Sequence, residues 1–304
     1  MPPSLAHAGR SAATRRGIVL MSSSTAAFVA NDALVKYVSQ SLPGMQLVFV
    51  RSVMASLLLL AVAHALGATG SLVQLRLKPV LTRTGLDAVA TVTFLTALFH
   101  LPLANATAIN MATPLFITLL AMTTLGERVD GARWFGIIAG FVGVLLVVQP
   151  AAEHFNAYTL VAILAAVLHA MRDTSTRFIP AHVPSILITL ATALGTTVLS
   201  GLLSLAQGWQ PISGAQFGML AAAATLIAIA YYLLIASMRL GEISVVAPFR
   251  YTSLLYALAL GYAVWGDVPN LLAWTGIALL VGAGLYMLHR ERLRARAVLE
   301  AATD

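Results

Sequence analysis

The chain has 304 residues, of which 59% are hydrophobic and only 10% are charged. A soluble globular protein carries about 25% charged residues, so this composition excludes a soluble globule and predicts a multi-pass protein whose surroundings are the lipid bilayer. The formal net charge of +7 does not predict a nucleic-acid partner, because the positive residues lie in short connections between apolar runs, where they orient a chain in the membrane.

Apolar runs of about 20 residues, bounded by Gly, Pro and charged residues, predict an all-α membrane fold of about ten transmembrane helices. The first run, 17–40, is long enough to span and is followed by no small-residue cleavage site, so we interpret it as a permanent helix and not as a signal peptide. The other candidate spans are 44–67, 79–101, 103–125, 130–149, 157–178, 185–207, 213–240, 243–265 and 269–289. Their connections are too short for a soluble domain, so neighbouring helices are expected to be antiparallel.

Lysine and arginine collect on one side of this stack of helices, and the opposite connections contain neither. The positive residues lie in the N-terminal tail 1–16, in the basic C-terminal tail 290–304, and between them at Arg76, Lys78, Arg83, Arg128, Arg133, Arg177 and Arg239. Under the positive-inside rule, both termini are predicted to be cytoplasmic, and an even number of helices agrees with that placement.

An internal repeat organises the chain, because the stretch 104–147 returns about 140 residues later. Gly126 then falls on Gly266 and Trp134 falls on Trp274, in a chain that has only 4 Trp. The acids that follow the two turn glycines, Glu127 and Asp267, also coincide. Shared leucines would be expected by chance, but paired tryptophans beside a shared turn indicate a duplication.

The two predicted copies occupy 17–149 and 157–289, with about five helices each. An odd number of helices makes consecutive copies enter the membrane from opposite faces, so the copies are predicted to be inverted. Inverted repeats recur in secondary transporters, in which the substrate site lies near the middle of the membrane between the repeats.

The motifs in the first copy resemble the drug/metabolite transporter superfamily, and within it the EamA-like exporters of about ten helices. They are Leu-Pro-Leu-Ala-Asn-Ala-Thr-Ala-Ile at 101–109, Pro-Leu-Phe at 114–116, Leu-Gly-Glu-Arg-Val at 125–129, Trp134, and Gly-Phe-Val-Gly-Val-Leu at 140–145. The second copy departs from the pattern, with Leu254 in the place of proline and Trp-Gly-Asp-Val-Pro at 265–269 in the place of the Leu-Gly-Glu turn.

The resemblance implies a secondary transporter in the bacterial inner membrane that exports small metabolites by alternating access. Amino acids, aromatic or otherwise neutral, and amphipathic compounds are the substrates it implies first, and the aromatic amino acid exporters are the nearest subgroup. An importer or exchanger of a bulkier metabolite, such as a nucleoside derivative, is the alternative. A monomer is the expected functional unit.

Two pairs of ionisable residues four positions apart are candidates for gates or for proton coupling. Asp32 and Lys36 lie on the first predicted helix, and Asp173 and Arg177 lie 141 residues later on the sixth. Each pair lies on one helix face, and inversion would put the two pairs toward opposite ends of the path. The alternative is that both are interfacial pairs whose cations reach the membrane surface.

Two arginines inside predicted spans, Arg51 and Arg250, are too deep for both to reach the surface easily. We favour Arg250 as a substrate-path residue, because Pro248 removes a backbone donor nearby and Tyr251 is adjacent. Both prolines, Pro114 and Pro248, are predicted helix breaks, although either could be a simple kink.

Three further ionisable residues, Asp87, His169 and Arg172, could support proton coupling near the middle of the membrane. Asp87 could instead pair only with Arg83, four residues earlier, and His169 could simply make a hydrogen bond between helices. The other candidates for the path are Asn31, Phe94, Phe99, Asn110, Met111, Tyr231 and Tyr232. The aromatic members of that set could equally be packing or interface residues.

No cofactor, metal or catalytic site is predicted. The seven histidines are scattered, the chain has no cysteine, and no phosphate-binding Gly-x-x-x-x-Gly-Lys loop is present. An intramembrane enzyme would need a catalytic dyad, for which Asp173 beside His169 is the one candidate pair. We therefore do not predict an enzyme.

Overall fold

The computed structural model describes residues 3–125, 131–149, 156–180, 182–240 and 247–301. These residues form helices joined by short connections, with no strand among them, because a helix pairs its own backbone groups where lipid offers no partner. The α-helices are α1 (Pro3–Val38), α2 (Gly44–Ala65), α3 (Lys78–His100), α4 (Leu103–Asn110), α5 (Thr113–Leu125), α6 (Gly131–Val148), α7 (Tyr158–Ser175), α8 (Ser185–Ser204), α9 (Gly214–Leu240), α10 (Thr252–Trp265) and α11 (Leu271–Ala301). Short 3-10 helices occupy Ala68–Arg76, Thr176–Phe178 and Ala247–Tyr251.

Four of the described helices contain segments long and apolar enough to cross a membrane, at Arg15–Val38, Gly44–Ala65, Ser185–Ser204 and Gly214–Leu234. Shorter apolar segments lie at Leu103–Ile117, Trp134–Val148 and Leu271–Tyr286. The all-helical prediction is confirmed, whereas the number of ten spans stays a prediction. Helices α1 and α11 continue into the predicted tails, whose Ala, Leu and Arg residues favour helix.

The fourth predicted span, 103–125, is broken between α4 and α5 at Met111 and Ala112. Pro114 has no N–H to donate to the carbonyl of Asn110, and the Thr113 hydroxyl donates to that carbonyl at 2.7 Å instead. The break predicted around Pro114 is therefore present, and its cause is the missing backbone donor.

The ninth predicted span also changes geometry, because a 3-10 helix at Ala247–Tyr251 precedes α10. The junction between Tyr251 and Thr252 is 141 residues after the junction between Asn110 and Met111, so the repeats break at equivalent places. The Ser253 hydroxyl donates to Met111 Sδ at 3.7 Å, which brings the two breaks into contact. The side chain of Pro248, and the turn at 126–128 with Gly126, Glu127 and Arg128, lie outside the described residues.

Two pairs of equivalent helices from the two repeats, α2/α8 and α6/α11, are antiparallel neighbours. At one end of the α6/α11 pair, Gln149 bonds to Asn270, and near the other end Phe135 contacts Tyr286. Helices α2 and α8 are antiparallel too, with Gln46 bonded to Gln210 and Ser56 to Thr197. A two-fold axis along the helices would make such equivalents parallel, so the two copies are inverted relative to each other.

The most extensive of the other cross-repeat contacts join α1 to α9 and α3 to α7. At the repeat offset α1 corresponds to α7, and α3 corresponds to α9. The symmetry between the repeats therefore relates the α1/α9 pair to the α7/α3 pair. These four helices, two from each repeat, carry most of the buried polar side chains described below.

Glycine allows a close backbone contact between α6 and α11. A methyl group on Gly276 would lie 2.6 Å from the carbonyl oxygen of Gly143, too close for any side chain without movement of the backbone. Such close backbone approach is how membrane helices gain packing energy where lipid removes the hydrophobic drive.

Candidate functional site

A cavity of about 620 Å³ opens at the end of the bundle that holds the connection between α10 and α11. We call it the vestibule, and the end of the bundle where it opens the vestibule end. It is lined by Leu101, Pro102, Ala104, Asn105, Val147, Val148, Gln149, Asn156, Thr159, Asp267, Val268, Pro269, Asn270 and Ala273. Gly266 shapes this rim by ending α10 with a left-handed φ of 70°, a conformation that glycine adopts without strain.

Lys36 is buried just below the vestibule and ties α1 to the end of α3. Its ammonium donates to the carbonyl oxygens of Leu98 at 2.9 Å and Leu101 at 2.7 Å. The same ammonium lies 5.5 Å from the centre of the Trp265 ring, at the end of α10. The carboxylate of Asp267, on the vestibule wall, also acts on this charge. A single cation therefore joins three helices at the floor of the vestibule.

A buried polar group formed by α1 and α2 lies below Lys36. The helical rise from Asn31 to Val38 puts it about 10 Å from the vestibule end. Arg51, which is 3% exposed, donates from Nη1 to Asn31 Oδ1 at 3.0 Å. Asn31 in turn donates from its amide nitrogen to Asp32 at 2.9 Å. A buried charge in a membrane span is costly unless it has partners or a function, so this group is a candidate site.

A second buried group lies deeper and joins α3 to α7. Arg172 donates to Asp87 at 2.7 Å and forms an ion pair with Asp173 at 2.8 Å. Asp87 lies about 20 Å from the vestibule end, counted from His100. Because α3 belongs to the first repeat and α7 to the second, this ion pair crosses the boundary between the repeats.

Aromatic and amide side chains lie near the two charged groups. His169 Nδ1 lies 2.8 Å from the side-chain oxygen of Asn110, at the break between α4 and α5, and its ring lies 5.9 Å from that of Phe94. On the other side, Phe28 meets Tyr231 edge to face at 5.1 Å. The residues near the centre thus offer charges, amides and ring surfaces together.

The structure shows which partners two of the candidate acids have. Asp32 bonds to Asn31 and not to Lys36, whose donors reach carbonyl oxygens that lie closer to the vestibule. Asp87 pairs with Arg172 and not with Arg83, the alternative partner on its own helix. Arg83 donates instead to hydroxyls beside it, those of Thr176 and Thr192.

Other predicted positions fall outside the centre or outside the described side chains. Tyr232 is 69% exposed, which favours the interface interpretation over a lining role. Tyr251 is partly buried, beside Arg250. The predicted partner of Asp173, the Arg177 side chain, lies outside the described residues.

Of the two arginines inside predicted spans, Arg51 is the buried one, although we favoured Arg250 as the substrate-path residue. Arg250 is exposed, although its charge still acts on His169, whereas Arg51 is buried and bonded to the Asn31 group. In their predicted spans Arg51 and Arg250 lie equally deep, and they differ in the helix face they occupy, which packing between helices decides.

Comparison with known proteins places both repeats in one family. The model of the "EamA-like transporter family" matches residues 15–149 and again residues 156–289. The riboflavin transporter of Rhizobium johnstonii is 31% identical over 216 residues, which cover 71% of this chain and 72% of the relative. The pseudopaline exporter CntI of Pseudomonas aeruginosa is 26% identical over 88% of this chain and 94% of the relative.

Two further similarities are weaker. The S-adenosylmethionine uptake transporter of Rickettsia felis is 26% identical over 63% of this chain and 65% of the relative. A solved crystal structure superposes with a TM-score of 0.63 at 22% identity, covering 93% of this chain and 99% of that protein, which shows that the fold is shared.

Proposed function

The chain belongs to the EamA-like transporter family, and from that membership we propose that it is a secondary transporter that moves a small metabolite by alternating access. Members of the family are integral membrane proteins. The observation that carries the mechanism is the Asp87–Arg172 ion pair, which is buried and is shared between the two repeats. When inverted repeats rock against each other, residues on their boundary meet the solute from each side in turn.

We propose that the protein works as a monomer in a bacterial inner membrane, with both termini cytoplasmic and the vestibule facing outward. The distribution of lysine and arginine supports this orientation, since the vestibule walls carry neither. The proposed direction is export, as the name of the CntI relative states for that protein.

Lys36 is the proposed gate at the vestibule end. Its bonds to Leu98 and Leu101 close the floor of the vestibule, and breaking them would connect the vestibule to the Asn31 group. In the proposed cycle, α3 and α10 separate from α1 here while the opposite end closes.

Amino acids are the substrates we propose first. Flat heterocyclic or nucleoside-derived metabolites are the second candidate, because relatives are named transporters of riboflavin and S-adenosylmethionine. The rings of Phe28 and Tyr231 beside the polar centre could stack on such a solute.

Counterflow into liposomes that contain the purified protein tests this function. Liposomes preloaded with one amino acid should take up the same labelled amino acid faster than protein-free liposomes, with riboflavin and S-adenosylmethionine assayed in parallel. Uptake equal to that of protein-free liposomes for every solute would overturn the proposal.

A pH-gradient arm of the same assay tests proton coupling through Asp32. Within the described chain Asp32 has no ion pair, unlike Asp87 and Asp173, so it is the acid most free to carry a proton. We expect an imposed pH gradient to drive uphill movement in wild type and not in Asp32→Asn, which should keep counterflow. Wild type and Asp32→Asn without an imposed gradient are the controls, and both should show counterflow alone. A gradient response in Asp32→Asn equal to wild type would exclude this role.

A further inference from the structure

We propose that the vestibule is a binding site for amphipathic amines, in which the carboxylate of Asp267 binds the ammonium group and the apolar wall contacts the rest of the molecule. The contacts of Lys36 with Leu98 and Leu101 separate this cavity from the polar groups deeper in the bundle. Binding in the vestibule is therefore independent of the proposed transport function, and a chain that moves no solute could still bind an amine there.

The cavity has the size and the lining of a small-molecule site. Ligand pockets in proteins measure about 300–1,000 Å³ and are mostly apolar with a few polar groups, and the vestibule has about 620 Å³. Pro102, Val147, Val148 and Val268 belong to its apolar lining. Among the described residues that line it, Asp267 is the one charged side chain. A solute that matches this lining has an apolar body and a cationic group.

Most of the amide side chains in the vestibule already have protein partners. Gln149 and Asn270 exchange two hydrogen bonds, of 2.8 and 2.9 Å. Asn156 donates to the carbonyl oxygen of His100 at 2.9 Å and accepts from the backbone N–H of Tyr158 at 3.0 Å. These three amides therefore have little hydrogen-bonding capacity left for a ligand.

Asp267 and Asn105 are the polar side chains of the vestibule that remain unused. Both are partly buried, and neither side chain makes a hydrogen bond or an ion pair within the described chain. An ionised carboxylate accepts hydrogen bonds and cannot donate them, so Asp267 lacks a donor. An ammonium group supplies that donor together with the opposite charge, and such a charge-assisted bond is stronger than a neutral one.

Packing brings these two side chains to adjoining parts of the wall. A Cβ added to Gly261 would lie 3.9 Å from the Cβ of Asp267 and 4.0 Å from the Cβ of Leu103. Leu103 begins α4, and Asn105 follows it two residues later on the same helix. An ammonium group has three N–H donors, so one such group has donors for both the Asp267 carboxylate and the Asn105 oxygen.

The ammonium of Lys36 does not fill this position. It donates to the carbonyl oxygens of Leu98 at 2.9 Å and Leu101 at 2.7 Å, and it forms no ion pair with Asp267 in the described chain. Because Leu101 lines the cavity, these bonds hold Lys36 at the floor. The carboxylate of Asp267 is therefore open to a cation that enters from the vestibule side while the floor stays closed.

Protection of a cysteine from labelling tests both the site and its position. The detergent-purified Val268→Cys protein is labelled with a thiol reagent that does not react with amines, in increasing concentrations of phenethylamine, phenethyl alcohol or phenylpropionate. The three probes share an apolar body and differ in charge. We expect phenethylamine to halve the labelling rate at a concentration at least about tenfold lower than the other two, which lack the charge-assisted hydrogen bond. Equal protection by all three probes, or by none, would overturn the proposal.

Substitutions and a second labelling position then assign the binding to Asp267. In the Val268→Cys background, Asp267→Asn should remove the advantage of phenethylamine over phenethyl alcohol, whereas Asp267→Glu, which keeps the carboxylate, should retain it. The comparison is a ratio between probes within one variant, so a change in the reactivity of the thiol cancels. Gln207→Cys is the matched control, because Gln207 is exposed at the same end of the bundle and does not line the cavity. Protection that survives Asp267→Asn, or that is equal at Gln207→Cys, would exclude the site.

Discussion

Lys36 is a buried lysine within an apolar helix, and its contacts differ from those of an ordinary ion pair. Its ammonium is desolvated, and it is held by two carbonyl oxygens and an aromatic ring instead of a carboxylate hydrogen bond. Carbonyl oxygens at the end of a helix are unpaired by the helix itself, so α3 offers ready acceptors there. In the proposed gate, this contact holds α1 to the end of α3 without a full ion pair, which would be harder to break.

Removing the ammonium should therefore open that end. In a Thr25→Cys background, Lys36→Met should speed modification of the buried cysteine by a membrane-impermeant maleimide added from the vestibule side. A hydrogen bond from a charged group contributes about 1.5–3 kcal/mol, and about 1.4 kcal/mol corresponds to a tenfold change in population. We expect an increase of about tenfold or more. Lys36→Arg keeps donors and should label at the parent rate. Unchanged labelling of Lys36→Met would rule out the gate.

At the scale of elements, we expect one set of helices to move during transport and another set to support it. Helices α1, α3, α7 and α9 carry the polar centre, whereas α6 and α11 meet through glycine with almost no polar contact at their crossing. Bonds at one end, between Gln149 and Asn270, hold this second pair in register. We infer that α6 and α11 form a support against which the polar helices move.

Filling the glycine contact should separate α6 from α11. Gly276→Leu forces the helices apart, and overpacking costs about 1–3 kcal/mol, which corresponds to a fall of about 5 °C in the melting temperature of a chain of this size. Gly282→Leu on the same helix is the matched control, because no atom lies within 4 Å of a Cβ added there. Thermal unfolding of the detergent-purified proteins measures both. Equal melting temperatures for the two variants would show that the contact contributes little.

At the scale of the whole molecule, inversion makes the ends of the bundle equivalent in architecture but different in charge. Both ends are built from corresponding helices, yet the vestibule end keeps Gly266 and Asp267 without arginines, while the opposite end carries Lys78 and Arg83. Charge in the connections orients a membrane protein, so the asymmetry sets which end faces the cytoplasm.

Cysteine labelling in intact cells tests that orientation, and the chain has no native cysteine to interfere. An impermeant maleimide should label Gln207→Cys and Val268→Cys, at the vestibule end, from outside the cell. Gly70→Cys and His182→Cys, at the opposite end, should label only after the cells are opened and serve as the paired control. The reverse pattern would place the termini outside.

The sequence by itself determined the helices, the duplication and the family. Hydropathy and repeats are properties of the chain taken in order, and a backbone in lipid has little choice but to form helices that pair its own polar groups. The break at Pro114 was predictable for the same reason, because the missing N–H is local to its helix.

Only the tertiary structure decided which polar side chains meet. Asp87 and Arg172 are 85 residues apart, and nothing in the order of residues favours this pair over Asp87 with Arg83. Likewise the depth of Arg51 was visible, but its contact with Asn31 depends on how α1 and α2 turn toward each other. Helix faces are set by packing between helices, and that packing left Arg51 Nε and Asp87 Oδ2 buried without a hydrogen-bond partner in the described chain.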